Sequence, residues 1–221
     1  MSGYIDTIYN EAERPITTYP DELISHLCAR FNIKKGEKVL DVGCGRGDFL
    51  NAFKSYGLKT SGVDREPSGA KVAPEVEIKY CDLEKSAFPF ADETFDVVFS
   101  KSVIEHLFDP ELFISESRRV LKSGGRIITM VPDWISCMKI YFDDHTHRQP
   151  YTVVSLRELL KMKGFQEVRT ELFYQLPVLW RFPALKVFSK ILQTIVPVTT
   201  QSKIKFIRWS VEMMVLGTGI K

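Results

Sequence analysis

A glycine-rich turn is the stretch of this 221-residue sequence whose residue types and spacing are best suited to chemistry. It reads VLDVGCGRGDF over residues 39–49, an apolar run followed by three alternate glycines. Glycine has no Cβ and tolerates positive φ, so Gly43, Gly45 and Gly47 let a ligand lie against bare backbone. Asp41, just before the turn, can accept a hydrogen bond from that ligand or hold the loop. The stretch indicates a ligand-binding turn, with a purely structural strand–helix connection as the alternative.

The spacing of these glycines argues against two common phosphate-binding motifs. A dinucleotide-binding turn has the pattern G-x-G-x-x-G, and a P-loop ends in Gly-Lys-Ser/Thr. This turn is G-x-G-x-G and contains neither arrangement. Pyrophosphate is therefore not its expected ligand.

Two acidic residues follow the next two predicted strands, 59–63 and 76–80. In βαβ architecture an acid at the position of Asp64 lies beside the first glycine turn and can bind both ribose hydroxyls of an adenosine. Asp82 can accept a hydrogen bond from an adenine amino group while Leu83 packs on the ring. We expect these residues to converge, because ligands bind at the carboxyl ends of the strands in such sheets.

The elements that must position these residues follow from the spacing of apolar residues and from breakers. Strands that alternate with helices or loops predict an α/β fold, with a parallel sheet and helices on both faces. The predicted helices are 20–31, 48–56 and 110–121, and the predicted strands up to residue 131 are 38–42, 59–63, 76–80, 95–99 and 126–131.

A second group of polar residues follows the fourth and fifth predicted strands. Glu105 and His106 come soon after the fourth, and His145 and His147 lie in a polar loop after the fifth. An unperturbed histidine has a pKa of about 6.5, which suits a general base at neutral pH. These four residues are the candidate catalytic residues, with His106 foremost. The alternative for His106 is a structural hydrogen bond at the start of a helix.

Together these segments resemble the class I S-adenosylmethionine (SAM)-dependent methyltransferases, of the small-molecule, ubiquinone/menaquinone-biosynthesis type. The resemblance covers residues 36–174 and includes VLDVGCGRGDF, GVD, CDLEKSAFPFADETFDVVFS, SVIEHLFDP, RRVLKSGGRIITMVP and SLRELLKMKGFQEV. It implies a Rossmann-like, seven-stranded, mostly parallel sheet in which the sixth strand is 165–173. The last strand, 211–217, would insert antiparallel between its neighbours.

The resemblance also implies SAM as the cofactor and assigns residues to it. The turn would bind the cofactor, the two acids would bind its adenosine, and residues after the fourth strand would line the methionine end. The implied cofactor-binding residues are Asp41, Gly43, Cys44, Gly45, Asp64, Arg65, Asp82, Leu83, Ser100 and Lys101.

A metal site is the open alternative at the candidate catalytic residues. Some quinone and small-RNA methyltransferases resemble this chain here and bind a divalent cation through a Glu-x-x-Glu-His pattern. The first position of that pattern is Ser102 in this chain, so the match is incomplete. Glu105, His106 and the His145-x-His147 spacing nevertheless offer suitable ligand types. We expect no metal, with a His/carboxylate site as the alternative.

The composition, 44% hydrophobic and 26% charged, is that of an ordinary globular protein. The sequence contains no apolar run long enough for a transmembrane helix and no secretory signal at its start. Four scattered cysteines lack the spacing of a disulfide framework or metal site. We therefore expect a cytoplasmic protein, with a peripheral position on the inner face of a membrane as the alternative.

One methyltransferase domain, 1–221, is expected, with an N-terminal helical arm or lid over 1–35. A helical insertion, 175–210, is expected between the last two strands. Residues 175–221 hold 7 Lys/Arg and 1 Asp/Glu, whereas residues 1–174 hold 23 and 27. The insertion is interpreted as a lid or a homodimer surface, with a basic amphipathic membrane contact as the alternative. A nucleic-acid partner is not favoured, because the overall charge is near neutral.

The predicted function is transfer of a methyl group from SAM to an oxygen or nitrogen atom of a small molecule. Sugars, quinones, lipid-linked intermediates and secondary metabolites are the acceptor classes considered. One alternative is a SAM-binding protein that is not catalytic or needs a partner. An RNA methyltransferase is a further alternative.

Overall fold

The computed structural model describes residues 15–66, 75–200 and 202–221 of the chain. Residues 1–14 of the predicted arm therefore lie outside the described residues. The chain divides into two compact units. The first unit comprises Met1–Ser100, Leu112–Ile127 and Lys221, and the second unit comprises Lys101–Glu111 and Ile128–Ile220.

The described chain alternates strands and helices, as the sequence predicts. The helices are α1 (Tyr19–Phe31), α2 (Asp48–Tyr56), α3 (Pro110–Val120), α4 (Trp134–Cys137), α5 (Val153–Met162), α6 (Pro177–Arg181), α7 (Lys186–Ile195) and α8 (Lys205–Val211). The strands are β1 (Lys38–Val42), β2 (Lys59–Asp64), β3 (Glu77–Tyr80), β4 (Phe95–Lys101), β5 (Leu121–Pro132), β6 (Gln166–Phe173) and β7 (Met214–Ile220).

The seven strands form one sheet in the order β3-β2-β1-β4-β5-β7-β6. Strand β1 pairs in parallel with β2 and β4, and β2 pairs in parallel with β3. Strand β7 lies between β5 and β6 and is antiparallel to β6. The predicted fold class, a Rossmann-like and mostly parallel sheet with an antiparallel last strand, is confirmed.

The core of the first unit forms where β4 meets α2. Phe99 is fully buried, and its ring centroid lies 5.5 Å from that of Phe49 and 5.2 Å from that of Phe53. Helix α2 ends at Gly57, whose φ of 96° suits glycine at the left-handed C-cap. This packing fixes the start of α2, and with it the turn that precedes the helix.

In the second unit, α5 packs against β7 at a glycine. A Cβ placed on Gly217 would lie 2.7 Å from Leu156 Cδ2, so only glycine permits this approach. The N-cap of α5 is Thr152, whose side chain accepts from the Ser155 amide. The Ser155 hydroxyl in turn accepts from the Thr152 amide at 2.9 Å, so the two residues form a capping box at the start of α5.

Several strand boundaries differ from those predicted. Strand β7 begins at Met214 rather than at residue 211, because Val211 is the last residue of α8. Strand β5 begins at Leu121 rather than at residue 126. Among the described residues, no helix is both long and apolar enough to cross a bilayer.

We expect the Phe99→Ala variant to lower the free energy of unfolding by about 3–5 kcal/mol, the usual cost of removing a buried phenylalanine. Phe182→Ala is the matched control, because that side chain is exposed. Chemical denaturation monitored by circular dichroism measures both. A Phe99→Ala protein as stable as the control would contradict the described core.

Candidate functional site

The glycine turn follows β1 directly, and its three glycines all have positive φ. Gly43, Gly45 and Gly47 have φ values of 76°, 51° and 91°, a region that side chains with a Cβ rarely adopt. The Gly43 amide donates to the Val63 carbonyl at 2.8 Å, which holds the turn against β2. Open space surrounds the position where a Cβ of Gly45 would stand. Backbone is therefore presented to a ligand at this point.

Asp64, the last residue of β2, also holds the glycine turn in place through hydrogen bonds to its carboxylate. Its Oδ2 accepts from the Gly45 amide at 2.8 Å, and its Oδ1 accepts from the Glu66 amide at 2.7 Å. Burial raises the pKa of Asp64 above its ordinary value, while these two backbone bonds act in the opposite direction. Each carboxylate oxygen retains lone-pair capacity for a further donor, such as a ribose hydroxyl.

A residue that the sequence reasoning missed allows this arrangement. A Cβ placed on Gly62, in β2, would lie 2.9 Å from Cys44 Sγ and 3.1 Å from Leu50 Cδ1. The buried Cys44 side chain thus packs directly onto the backbone of β2. A glycine inside a strand often marks such a close approach, and that signal was available in the sequence.

Asp41 is buried in β1 at the base of the turn, where it pairs with Gly62 of β2 and Phe99 of β4. Its Oδ2 has no hydrogen-bond partner among the described residues. Burial, followed by the nearby charge of Asp64, raises the pKa of Asp41 well above its ordinary value. A buried oxygen without a partner is unfavourable, so this oxygen suits a ligand that donates a hydrogen bond.

The remaining cofactor residues of the first unit follow β2, β3 and β4. Asp82 Oδ1 accepts from the Glu84 amide at 3.1 Å, and Leu83 is nearly buried beside it. The Cys81 amide donates to the Asp64 carbonyl at 3.0 Å, which ties the Asp82 segment to the end of β2. Arg65 is exposed, and Ser100 is buried near the end of β4.

These residues fit the adenosine moiety that the sequence implies. The turn offers exposed backbone at Gly45, Asp64 has spare acceptor capacity, and Asp41 has an unpartnered oxygen. Lys101, the last residue of β4, belongs to the second unit.

In the second unit, Glu105 is fully buried in a short 3₁₀ turn, Ile104–His106. Its two carboxylate oxygens have no hydrogen-bond partner among the described residues. Burial raises the pKa of Glu105 to about 8, with smaller opposing effects from backbone amides and Lys101. Glu105 is therefore mostly protonated at neutral pH. Its carbonyl accepts from the Arg148 and Gln149 amides, which draws the 143–152 loop to it.

The hydrogen bonds of His106 reveal its tautomer. Thr146 Oγ1 donates to Asp144 Oδ1 at 2.6 Å, because a carboxylate only accepts. Thr146 Oγ1 therefore accepts from His106 Nδ1 at 2.8 Å. The proton of the neutral ring is therefore on Nδ1, and Nε2 is the nitrogen that carries the lone pair. Burial, followed by the charge of His147, lowers the pKa of His106, so that the neutral form dominates at pH 7.

His147 has the same tautomer. Its Nδ1 donates to the Tyr141 carbonyl at 2.6 Å, and its ring centroid lies 4.8 Å from that of His106. His145, in contrast, is exposed, and its carbonyl accepts from Arg148. The loop thus brings His147 to Glu105 and His106, but not His145.

Glu105, His106 and His147 each offer one ligand atom, and these three atoms lie within 4.8 Å of one another. Such a carboxylate and two imidazoles can bind a divalent metal. They can equally hold and accept a proton, because two imidazole rings stand beside a carboxyl group that is mostly protonated at neutral pH. The expectation that no metal is needed stays a prediction.

Comparisons with known proteins agree with the first unit's geometry. Residues 40–129 match the family described as "Methyltransferase domain". An uncharacterised protein of Methanocaldococcus jannaschii is 32% identical over 198 residues, which cover 89% of this chain and 83% of that protein. For two uncharacterised methyltransferases of Mycobacterium, 34% identical, the chain spans only 40% of their length.

Solved structures share the fold at lower identity. The complex between the Haloferax volcanii Trm112 methyltransferase activator and its methyltransferase partner matches with a TM-score of 0.73 and 19% identity, over 100% of this chain and 98% of that chain. Phosphoethanolamine N-methyltransferase 2 of Haemonchus contortus, in complex with SAM, matches with a TM-score of 0.67 and 19% identity, over 98% of this chain and 58% of that chain. The chain belongs to the class I SAM-dependent methyltransferases.

Proposed function

We propose that this protein transfers a methyl group from SAM to an oxygen or nitrogen atom of a small-molecule acceptor. The observation that carries the proposal is the glycine turn, in which the open backbone at Gly45 is held by Asp64 beside the unpartnered Asp41 oxygen. SAM, when bound, supplies a methyl carbon activated by its sulfonium sulfur. Bound at this turn, SAM would give that methyl group to the acceptor and leave as S-adenosylhomocysteine, and residues of the chain would receive the acceptor's proton.

The first unit's contribution is to bind and orient the cofactor. Asp64 accepts from the ribose hydroxyls through the lone pairs that the Gly45 and Glu66 amides leave unused. Asp41 accepts a hydrogen bond at its buried Oδ2. Asp82 and Leu83 would receive the adenine, and Ser100 would line the methionine end. Lys101, which the sequence also assigns to that end, belongs to the second unit. Alignment of this kind supplies much of the rate enhancement of a displacement reaction.

The second unit's contribution is to receive the acceptor's proton. The Nδ1 of His106 donates to Thr146, so Nε2 is the ring nitrogen that can accept a proton. Its lowered pKa keeps the ring neutral and ready to accept at pH 7. In the same cluster, the neutral carboxyl group of Glu105 can donate a hydrogen bond to the molecule that receives the methyl group. The Nε2 of His147 can accept a hydrogen bond from that molecule. His145, the fourth candidate, would act from the exposed side of the loop.

The acceptor is one of the small molecules that the sequence indicates: a sugar, quinone, lipid-linked intermediate or secondary metabolite. The Haemonchus contortus relative in fold is named as an N-methyltransferase of phosphoethanolamine, which supports a small acceptor. A partner-dependent protein is the second candidate, because the Haloferax volcanii relative in fold was solved with an activator. The predicted single-domain organisation, homodimer surface and cytoplasmic location remain part of this proposal.

We expect Asp64→Asn to weaken SAM binding at least 10-fold. The side-chain amide nitrogen of asparagine would face a backbone N–H donor, and a hydrogen bond to a charged acceptor typically contributes about 1.5–3 kcal/mol. Isothermal titration calorimetry measures the dissociation constant. Asp21→Asn, on the exposed face of α1, is the matched control. Equal SAM affinity in both variants would remove Asp64 from the cofactor site.

We expect His106→Ala to lower kcat about 100-fold or more while the dissociation constant of SAM stays within twofold, as loss of a general base does. His145→Ala is the comparison and should cost less, because that ring is exposed. Turnover with labelled SAM and pooled acceptors should be measured with and without a chelator. Unchanged kcat in His106→Ala would eliminate it as the base, and loss of activity in chelator would show that a metal is required.

We expect the stability of the protein to fall as pH rises from about 4.5 to about 8 and then to level off, because over this range the unfolded chain ionises Glu105 while the folded protein keeps it protonated. The folded pKa of about 8 lies above the ordinary 4.5, so the neutral form stabilises the fold at low pH and this contribution is lost as pH rises. Glu105→Gln should remove this component, which is on the order of 4 kcal/mol. Thermal unfolding from pH 5 to 9 measures it, with the exposed Glu158→Gln as control. Parallel pH profiles for wild type and Glu105→Gln would contradict the buried carboxyl.

A further inference from the structure

Helix α7, Lys186–Ile195, exposes its apolar side instead of burying it. Val187, Phe188, Ile191 and Ile195 lie on one stripe of the helix, and each is 48–69% exposed. An ordinary amphipathic helix of a globular protein turns such a stripe towards the core. The α7 stripe, defined by these four residues, is therefore uncovered in the chain as described.

The opposite side of α7 is the one that contacts the protein, and it is polar. Ser189 is fully buried, and its Oγ lies 2.9 Å from Ser210 Oγ of α8. Gln193 Nε2 donates to the Ser210 carbonyl at 2.7 Å. These bonds hold α7 in an orientation that directs the apolar stripe outwards. The exposure is thus a consequence of specific contacts.

The surrounding segment is basic. Residues 175–210 hold six Lys/Arg and no Asp/Glu, and they include two further exposed apolar side chains, Phe182 and Ile204. Lys186 lies over the Tyr174 ring and Lys205 over the Trp209 ring, at 5.9 and 5.5 Å from the centroids. An exposed apolar stripe within a uniformly cationic segment is typical of helices that lie in the interface of a bilayer.

The charge distinguishes a bilayer from a second copy of this chain. A two-fold symmetric dimer places the same patch against itself. The 175–210 segment would then meet its own cations without any acid of that segment to pair with them. An anionic lipid surface offers the opposite charge and an apolar layer together.

We infer that α7 is a docking helix for anionic lipid bilayers, with its apolar stripe inserted among the lipids and the lysines of 175–210 at the headgroups. The inference goes beyond the proposed reaction and does not depend on it. Burial of each large apolar side chain contributes roughly 1.5–3 kcal/mol, and each lysine near an anionic surface contributes about 1 kcal/mol.

Vesicle sedimentation with the full chain, without SAM or acceptor, tests the inference. We expect the protein to bind vesicles of phosphatidylcholine with 30% phosphatidylglycerol at least 10-fold more tightly than phosphatidylcholine alone. The double variant Phe188→Asp/Ile191→Asp should lose at least 10-fold in affinity for the anionic vesicles. Met162→Asp, at an exposed apolar residue of α5, is the matched control and should bind as wild type does. Thermal unfolding should confirm that all three proteins are folded.

Several results would overturn the inference. These are no binding by the wild type, equal binding by the double variant, or equal loss in Met162→Asp. Analytical ultracentrifugation measures whether the protein is a dimer. If the wild type forms a dimer that the double variant abolishes, and does not bind vesicles, the α7 stripe is an interface with a second copy of the chain. Because the assay contains neither SAM nor acceptor, its failure leaves the methyl-transfer proposal untouched.

Discussion

The hydrogen bond from the Gly45 amide to Asp64 Oδ2 is the interaction on which the first unit's site depends. It joins the middle of the glycine turn to the last residue of β2, while the Gly43 amide joins the start of the turn to Val63. Cys44 can pack beneath only because Gly62 has no side chain. One carboxylate therefore shapes the loop and also presents the lone pairs proposed for the ribose, so binding and loop geometry cannot be separated at this residue.

A comparable constraint in the second unit operates through the direction of hydrogen bonds. A carboxylate can only accept, so Asp144 orients Thr146, and Thr146 in turn places the proton of His106 on Nδ1. The Tyr141 carbonyl does the same for His147. Both rings are therefore protonated on Nδ1, and the charge of His147 lowers the pKa of His106. His106 is thus suited to accept a proton in a step whose methyl donor is already activated.

Local signals predicted the first unit well. Helix α2 has the predicted bounds because Gly57 ends it in the left-handed conformation, and β1 has the predicted bounds because its apolar run is flanked by turns. The start of β7 was not predictable, because an apolar run gives no sign of where a helix stops and a strand begins. Likewise Thr152 and Ser155 are both good N-caps, and only the reciprocal bonds show which one begins α5. The choice of His147 over His145 depends on the path of a loop, which spacing does not encode.

The orientation of α7 could not be predicted from its amphipathic sequence pattern. The sequence shows that one side of the helix is apolar, but it does not say whether that side meets the protein's own core. Here two buried hydroxyls, Ser189 and Ser210, meet where apolar side chains would ordinarily pack. Leaving four large apolar residues in water forgoes several kcal/mol of burial. A partner that removes them from water recovers that energy, and the basic composition of 175–210, which has no acids, favours a partner with a negative surface.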